Sequence, residues 1–327
     1  MKAAVLFGPR DLRLVEVDTP RPPAGWALIE AKAVGICGTD KAFYTGSYPL
    51  FKTPLIPGHE VSGVVVEGPS ELLGERVVSE INFACRQCRV CQAGLYTHCP
   101  NRRTLGIDFD GGMAEYFIAP TWALHRHRLP HDIAFAAEPL AAVVNMVRQR
   151  PPEPGDLIGV IGSGFISWLT ANLLRMLGHD PVIIVRRGSM KANLFERAGF
   201  RVVQVEEASR LGREESSLGL GFDYIVEATG SNSGLRAAVE LVRPRGVIHL
   251  KSTPGGVASF PQTVSVVKEV RVIGTRCGDW RDFKLALSIL SRSLVSVPVT
   301  ARYPLDEVDK AFAKSLEGDS FRVVVTP

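Results

Sequence analysis

The 327-residue chain has no apolar run of the ~18 residues that a membrane span needs. It has no basic tract interleaved with aromatics. Its formal net charge of +4 is small for its length, so the composition carries no footprint of nucleic-acid binding. Internal repeats and low-complexity segments are absent. The opening stretch, Met1 to Phe7, turns polar too soon for a signal peptide, and a cytoplasmic protein with no membrane segment is expected. Cysteine is sparse, at six residues; in a reducing compartment these serve as metal ligands or packing residues rather than as disulfides. Apolar residues, by contrast, make up 46% of the chain, enough for a large core, and the length suggests about two domains.

The clearest local signal runs from Asp156 to Arg187. An apolar run of strand length, Leu157 to Ile161, is followed at once by Gly162-Ser163-Gly164. Phe165 to Leu177 then has apolar residues at helical spacing, Gly178 ends it, and Val182 to Val185 is a second strand. This strand, glycine turn, helix and strand is the form of a dinucleotide-binding unit. Gly162 permits the tight turn, and Gly164 lets the backbone approach a pyrophosphate held at the helix N-terminus by Phe165, Ile166 and their neighbours. The third glycine of the fingerprint is replaced by Ser167, which is small enough for close packing. An ordinary strand-to-helix turn is the competing reading. A nucleotide-hydrolysing P-loop is not, because Phe165 rather than Gly-Lys-Ser/Thr follows the glycine.

On either side of this unit the pattern changes. Residues 1 to about 120 read as β-rich, with strands expected at 2–7, 12–17, 26–34, 61–67, 76–79 and 113–119. The pattern turns helical near Asp132, and the run from Pro151 to Gly155 marks a boundary. Beyond Val185, strands expected at 200–205, 222–227, 246–250 and 270–274 alternate with helices, giving a six-stranded parallel doubly wound sheet. A helix over 280–292 and a last strand over 322–325 follow. The expected domains are 1–150, 151–276 and a C-terminal return over 277–327.

Two constellations carry metal chemistry. Cys85, Cys88, Cys91 and Cys99 supply four thiolates within fifteen residues, in a lobe over 82–100. Such a shell closes a tetrahedral zinc site and leaves no open position, so the site would be structural. An iron–sulfur cluster is the rival, although the gap before Cys99 is longer than in the ferredoxin run. Cys277 stands alone and packs. The second set is Cys37, His59, Glu60 and Glu138: one thiolate, one imidazole and one or two carboxylates, which suit an open zinc site. Taken singly, these residues read equally well as a packed cysteine, a loop histidine and surface acids.

Coenzyme preference is legible after the second strand. An acidic residue there would accept hydrogen bonds from the adenine ribose and favour NAD. Arg186-Arg187-Gly188-Ser189 stands there instead. Guanidinium groups match phosphate in charge and geometry, and Ser189 adds a hydroxyl donor, so NADP is the preferred coenzyme and NAD the poorer one. Solvated surface arginines are the alternative.

Across nearly its whole length the chain resembles the zinc-dependent medium-chain dehydrogenase/reductase family, which includes alcohol, sorbitol, threonine and archaeal glucose dehydrogenases. The resemblance is carried by Gly35-Ile36-Cys37-Gly38-Thr39-Asp40, Pro57-Gly58-His59-Glu60, the four-cysteine lobe, Gly111-Gly112-Met113-Ala114-Glu115-Tyr116, Glu138-Pro139-Leu140-Ala141, the glycine turn, and Glu227-Ala228-Thr229-Gly230. It implies an α/β protein: a GroES-like β-rich catalytic domain built from both chain ends, a Rossmann domain between them, and an active site in the cleft. It also implies two zinc ions per chain, a catalytic one on Cys37 and His59 with Glu60 or Glu138 as third ligand, and a structural one on the four-cysteine lobe. Thr39 is implied as the hydroxyl that takes the substrate proton, Asp40 as a group that orients the loop or the histidine, and Ala228, Thr229 and Gly230 as coenzyme contacts. Ala42 and Asn145 depart from the family's proton relay, which would then run through water or Lys41. The implied reaction moves a hydride between a secondary alcohol, polyol or sugar and NADP(H) or NAD(H). A zinc-independent reductase and a non-catalytic dinucleotide-binding redox sensor are the alternatives. A homodimer or homotetramer is implied, with 264–267 and 270–273 at the edge of the Rossmann sheet, where unpaired strands invite pairing.

Overall fold

The ten-residue strand Trp26–Gly35 organises one of two units, Met1–Ala141 together with Cys277–Pro327; the other is Ala142–Arg276. The computed structural model describes residues 1–257 and 259–327. Alternating small and branched apolar residues bury most of Trp26–Gly35, and it pairs antiparallel with Glu60–Glu67, Tyr116–Pro120 and the C-terminal strand Val323–Thr326. The last of these pairings sets Val324 against Gly35 and Val325 against Val34, which returns the chain end to the first unit. The sheet runs in the order Ala301–Pro304, Val323–Thr326, Trp26–Gly35, Glu60–Glu67, Arg76–Ser79, Leu124–Arg126. Its core gathers Ile29, Val61, Phe117, Phe312 and Val325.

The strand expected over 113–119 is Tyr116–Pro120. Residues 113–115 are engaged elsewhere. Ala4 donates to the Met113 carbonyl at 2.8 Å, Met113 donates to the Pro57 carbonyl at 3.0 Å, and Ala114 bridges Ala3. Their hydrogen bonds serve the Pro57-Gly58 turn and the first strand, apart from the Glu115 carbonyl, which accepts the Ala31 N–H at 2.9 Å.

In the second unit six parallel strands lie in the order Val202–Gln204, Val182–Val185, Ile158–Ile161, Phe222–Glu227, Val242–Leu250, Arg271–Gly274. This is the doubly wound sheet the alternation predicts, packed around Ile184, Phe222, Ile225 and Ile248. The strand expected over 246–250 begins earlier, at Val242, and crosses a register shift at Arg245, whose φ is 58°. Residues 264–267 do not form strand. They lie in the helix Gln262–Val267, and only 271–274 forms the sheet edge. Lys251, just past the end of its strand, donates from Nζ to the carbonyls of Ala142, Thr275 and Arg276 at 3.0, 3.3 and 3.0 Å. It thereby ties together the points where the chain enters and leaves this unit.

Candidate functional site

Cys37 is the N-cap of the helix Gly38–Thr45. A capping box closes this end: Asp40 Oδ2 accepts the Cys37 N–H at 2.8 Å, while the cysteine sulfur faces the Asp40 N–H. Asp40 is fully buried, and its Oδ1 accepts the Gly58 N–H at 3.3 Å. One carboxylate thus joins the Cys37 helix to the turn that carries His59. Gly58 has φ 96°, and a Cβ there would lie 2.8 Å from Met113 and Val34 side-chain atoms, so only glycine holds this turn. Its carbonyl accepts from Gly112 at 2.7 Å, which accounts for the Gly111-Gly112 pair.

Glu60 opens its strand opposite Gly35, where a Cβ would fall 2.5 Å from Glu60 Oε2; the glycine leaves room for the carboxylate. The result is that a Cys37 sulfur, a His59 ring nitrogen and a Glu60 oxygen all lie within 4.8 Å of one another. Glu138, near the start of the helix Ala137–Gln149, is buried and its charge acts on His59, but it falls outside that group. Thr39 is half-buried in the first turn after Cys37.

The group is rich in negative charge and short of partners. His59 Nδ1 and both Glu60 oxygens are buried and accept or donate no hydrogen bond among the described residues. His59 Nδ1 stands 3.7 Å from Asp40 Oδ1. Burial disfavours the charged imidazolium, but Cys37 and Asp40 outweigh it and raise the His59 pKa well above the usual range. Burial raises the Asp40 and Glu60 pKa values, opposed by His59 and Arg322 respectively. Buried polar atoms without partners are costly. A thiolate, an imidazole and a carboxylate converging this closely fit a divalent zinc ion, which would satisfy them together.

Sequence reasoning missed Arg322. It is 5% exposed, its Nη1 donates to the Ile36 carbonyl at 2.7 Å, and the same nitrogen makes a 2.8 Å ion-pair contact with Glu60 Oε2. It therefore braces both the residue before Cys37 and the Glu60 carboxylate. The available signal was a single arginine directly before Val323-Val324-Val325, since a charge in an apolar strand context demands a buried partner. Lys41 Nζ lies 3.4 Å from the Ser315 carbonyl; burial, with Arg322 nearby, lowers its pKa.

The four lobe cysteines form a second group with all sulfurs within 4.8 Å of one another. Separations are 3.6 Å for Cys88–Cys91, 3.8 Å for Cys88–Cys99 and 3.5 Å for Cys99–Cys85. The Gln87 and Cys88 N–H groups donate to the Cys85 sulfur and pull its pKa down to about 6, which favours the thiolate a metal takes. Cys277 lies apart from both groups, buried, with Asn82 Nδ2 at 2.8 Å from its sulfur.

In the second unit Gly162 has φ 117°, and a Cβ there would sit 2.7 Å from the Ala228 carbonyl. Gly164 is the N-cap of the helix Phe165–Met176 and makes no side-chain cap, so this is an uncapped helix start of the kind that receives anions. Ser167 is fully buried beneath this turn, as close packing requires. Ser163 and Ser189 hydroxyls meet at 2.9 Å, joining the glycine turn to the loop after the neighbouring strand. On that loop Arg186 and Arg187 are exposed, with Arg187 Nε 3.4 Å from Gln204 Oε1. At the end of the next strand, buried Glu227 accepts from the Thr229 N–H and hydroxyl and from Ser252 at 2.9, 2.6 and 2.9 Å, which shapes the Ala228-Thr229-Gly230 turn.

Two linked units, one presenting a thiolate–imidazole–carboxylate group and the other a glycine turn over a parallel sheet, define a metal-dependent nicotinamide oxidoreductase by class. Residues 23–130 match the alcohol dehydrogenase GroES-like domain, and residues 166–292 match the zinc-binding dehydrogenase domain. The chain belongs to the zinc-dependent medium-chain dehydrogenase family. It is 30% identical to a sorbitol dehydrogenase of Halalkalibacterium halodurans, covering 100% of this chain and 99% of that one. Its fold is similar to that of a cobalt- and zinc-bound thermostable alcohol dehydrogenase from Pyrobaculum aerophilum, with TM-score 0.88, 26% identity and coverage of 100% and 99%. A Sinorhizobium meliloti protein bound to NADP gives TM-score 0.88 at 25% identity, again covering 100% and 99%. No helix among the described residues is long and apolar enough to cross a membrane.

Proposed function

We propose that this protein is an alcohol or polyol dehydrogenase acting on CH–OH groups, with zinc at Cys37 and His59 and with NADP(H) preferred over NAD(H). The observation that carries the reading is the close convergence of a cysteine sulfur, an imidazole and a carboxylate at Cys37, His59 and Glu60. Glu60 is the third ligand in this reading, and the charge of Glu138 raises the His59 pKa. A bound zinc supplies Lewis acidity, which lowers the pKa of an alcohol oxygen, and a bound nicotinamide supplies the hydride acceptor. Cys37 and His59 fix the metal, and Asp40 fixes both of them relative to each other. Thr39 Oγ1 takes the alcohol proton. Ala42 offers no group to pass it on, so Lys41, whose lowered pKa eases proton exchange, takes that role with solvent.

The four lobe cysteines hold a second, structural zinc. The unit Ala142–Arg276 is the coenzyme domain, where the Gly162-Ser163-Gly164 turn and the helix N-terminus at Phe165 and Ile166 hold the pyrophosphate, and Ala228, Thr229 and Gly230 border it. Arg186 and Arg187, with Ser189, bind the 2′-phosphate of NADP. The proteins similar to this chain named for sorbitol, D-arabitol phosphate and D-xylulose support a polyhydroxy substrate. The chain works as a homo-oligomer joined through the Arg271–Gly274 edge. The test is a screen of NADP⁺ and NAD⁺ reduction over alcohols, polyols and aldoses with zinc present. Turnover of at least one polyol with NADP⁺ is expected. Absence of coenzyme reduction across the panel, in protein that binds zinc and coenzyme, would favour the redox-sensor reading.

A further inference from the structure

A cavity of about 460 Å³ opens beside the cysteine lobe, lined by Glu80, Arg86, Cys91, Tyr96, Trp122 and Trp280. It shares no residue with the Cys37–His59–Glu60 group. Three of its walls are ring faces: Tyr96 and Trp122 stand perpendicular with centroids 6.2 Å apart, and Trp280 is 39% exposed. Arg86, in the left-handed region at φ 59°, lays its guanidinium 5.0 Å from the Trp122 ring centroid. That side chain makes no hydrogen bond or ion pair among the described residues, so its donors are open. Glu80 is 1% exposed; its Oε2 accepts the Tyr96 hydroxyl at 2.6 Å and its Oε1 lies 3.1 Å from His125 Nε2. A carboxylate has about four acceptor sites, so two remain.

These charges narrow the ligand. An anion would meet Glu80, an organic cation would meet Arg86, and an apolar ligand would strip water from the exposed Arg86 guanidinium without replacing it. A neutral ring bearing hydroxyls does neither. Its hydroxyls donate to the carboxylate and accept from the guanidinium, while its C–H faces cover the indoles. We propose that this cavity binds a neutral monosaccharide in ring form, at a site separate from the metal group and independent of the dehydrogenase reading.

Methyl α-D-glucopyranoside is the probe, because its ring is locked and its anomeric carbon cannot be oxidised as a free sugar's can. Binding to the zinc-loaded protein is followed by tryptophan fluorescence and equilibrium dialysis. Saturable binding is expected, weakened about tenfold in Arg86→Ala, the loss of roughly one hydrogen bond to a charged group. Trp280→Ala should weaken it similarly, and Cys37→Ser should leave it unchanged. Arg86 is exposed and its side chain lies over Trp122 with no hydrogen bond or ion pair among the described residues, so its variant should fold, and its zinc content checks this. Absence of saturable binding overturns the proposal. So does binding that survives both cavity variants but is lost in Cys37→Ser, which would place it at the metal group. Tighter binding of glucose 6-phosphate or of tetramethylammonium would assign the cavity to an anion or a cation instead, and also overturns it.

Discussion

Asp40 shows how much a single carboxylate decides: one oxygen caps the Cys37 helix and the other holds the Gly58 turn, so Cys37 and His59, the proposed zinc ligands, both take their place from it. A similar economy is seen at Ser62, whose buried hydroxyl meets His127 Nε2 at 3.0 Å and His131 Nδ1 at 2.8 Å. Burial, with His131 and Arg76 adding to it, pushes the His127 pKa down to about 4, and burial lowers that of His131 as well. An unfolded histidine titrates near 6.5. Between about pH 6.5 and 4 the unfolded chain therefore binds a proton that the folded His127 refuses, and stability falls as pH falls. The melting temperature should drop across that window, and drop less in His127→Asn. Equal pH slopes for the two proteins would contradict this. At the coenzyme end, Arg186→Ala and Arg187→Ala should each raise KM for NADP⁺, by about tenfold where a charge-assisted contact is lost. KM for NAD⁺ should hardly move. A parallel loss for both coenzymes, or wild-type kcat/KM as high with NAD⁺, would remove the phosphate site.

At the scale of elements, the signals that proved legible are those with a short-range cause. The glycine turn and its flanking strand and helix were readable because φ 117° at Gly162 and an uncapped helix start leave few other sequences possible. The convergence of the cysteine lobe was readable because its four cysteines fall within fifteen residues. What sequence did not reveal depends on distant pairing. The strand near 113–119 starts late because its first residues bond the Pro57-Gly58 turn, and 264–267, apolar enough for a strand, is a helix. Arg322 carried a signal, an arginine beside an apolar strand, but its partners were not readable because Ile36 and Glu60 lie more than 250 residues away in sequence. The lobe itself yields a prediction. Its helix Arg89–Gln92 is a single turn and buries no residue, so the proposed zinc would supply what a core does not. Cys88→Ser should lose one of two zinc ions per chain and lower the melting temperature, while the coenzyme still binds. Retention of two zinc ions, or an iron–sulfur absorption band in the wild type, would contradict the assignment.

For the whole molecule, the edge strand Arg271–Gly274 pairs on one side only, with Val242–Leu250. Val272 on it, and Val264, Val266 and Val267 on the adjacent helix, are exposed apolar residues. If a second copy completes this edge, as proposed, light scattering at micromolar concentration should report a dimer or tetramer. Val266→Asp combined with Val267→Asp should shift it toward monomer; a wild-type monomer would contradict the interface. The central claim is that turnover runs through the metal held by Cys37 and His59 while the coenzyme is held separately by the parallel-sheet unit. The most direct measurement is kcat for Cys37→Ser against wild type on the polyol the screen identifies, in samples of known zinc content and NADPH affinity. The account predicts one zinc lost, NADPH bound as before, and kcat reduced at least about a thousandfold, the scale of losing a principal catalytic group. Turnover at the wild-type rate in the zinc-depleted variant would contradict it.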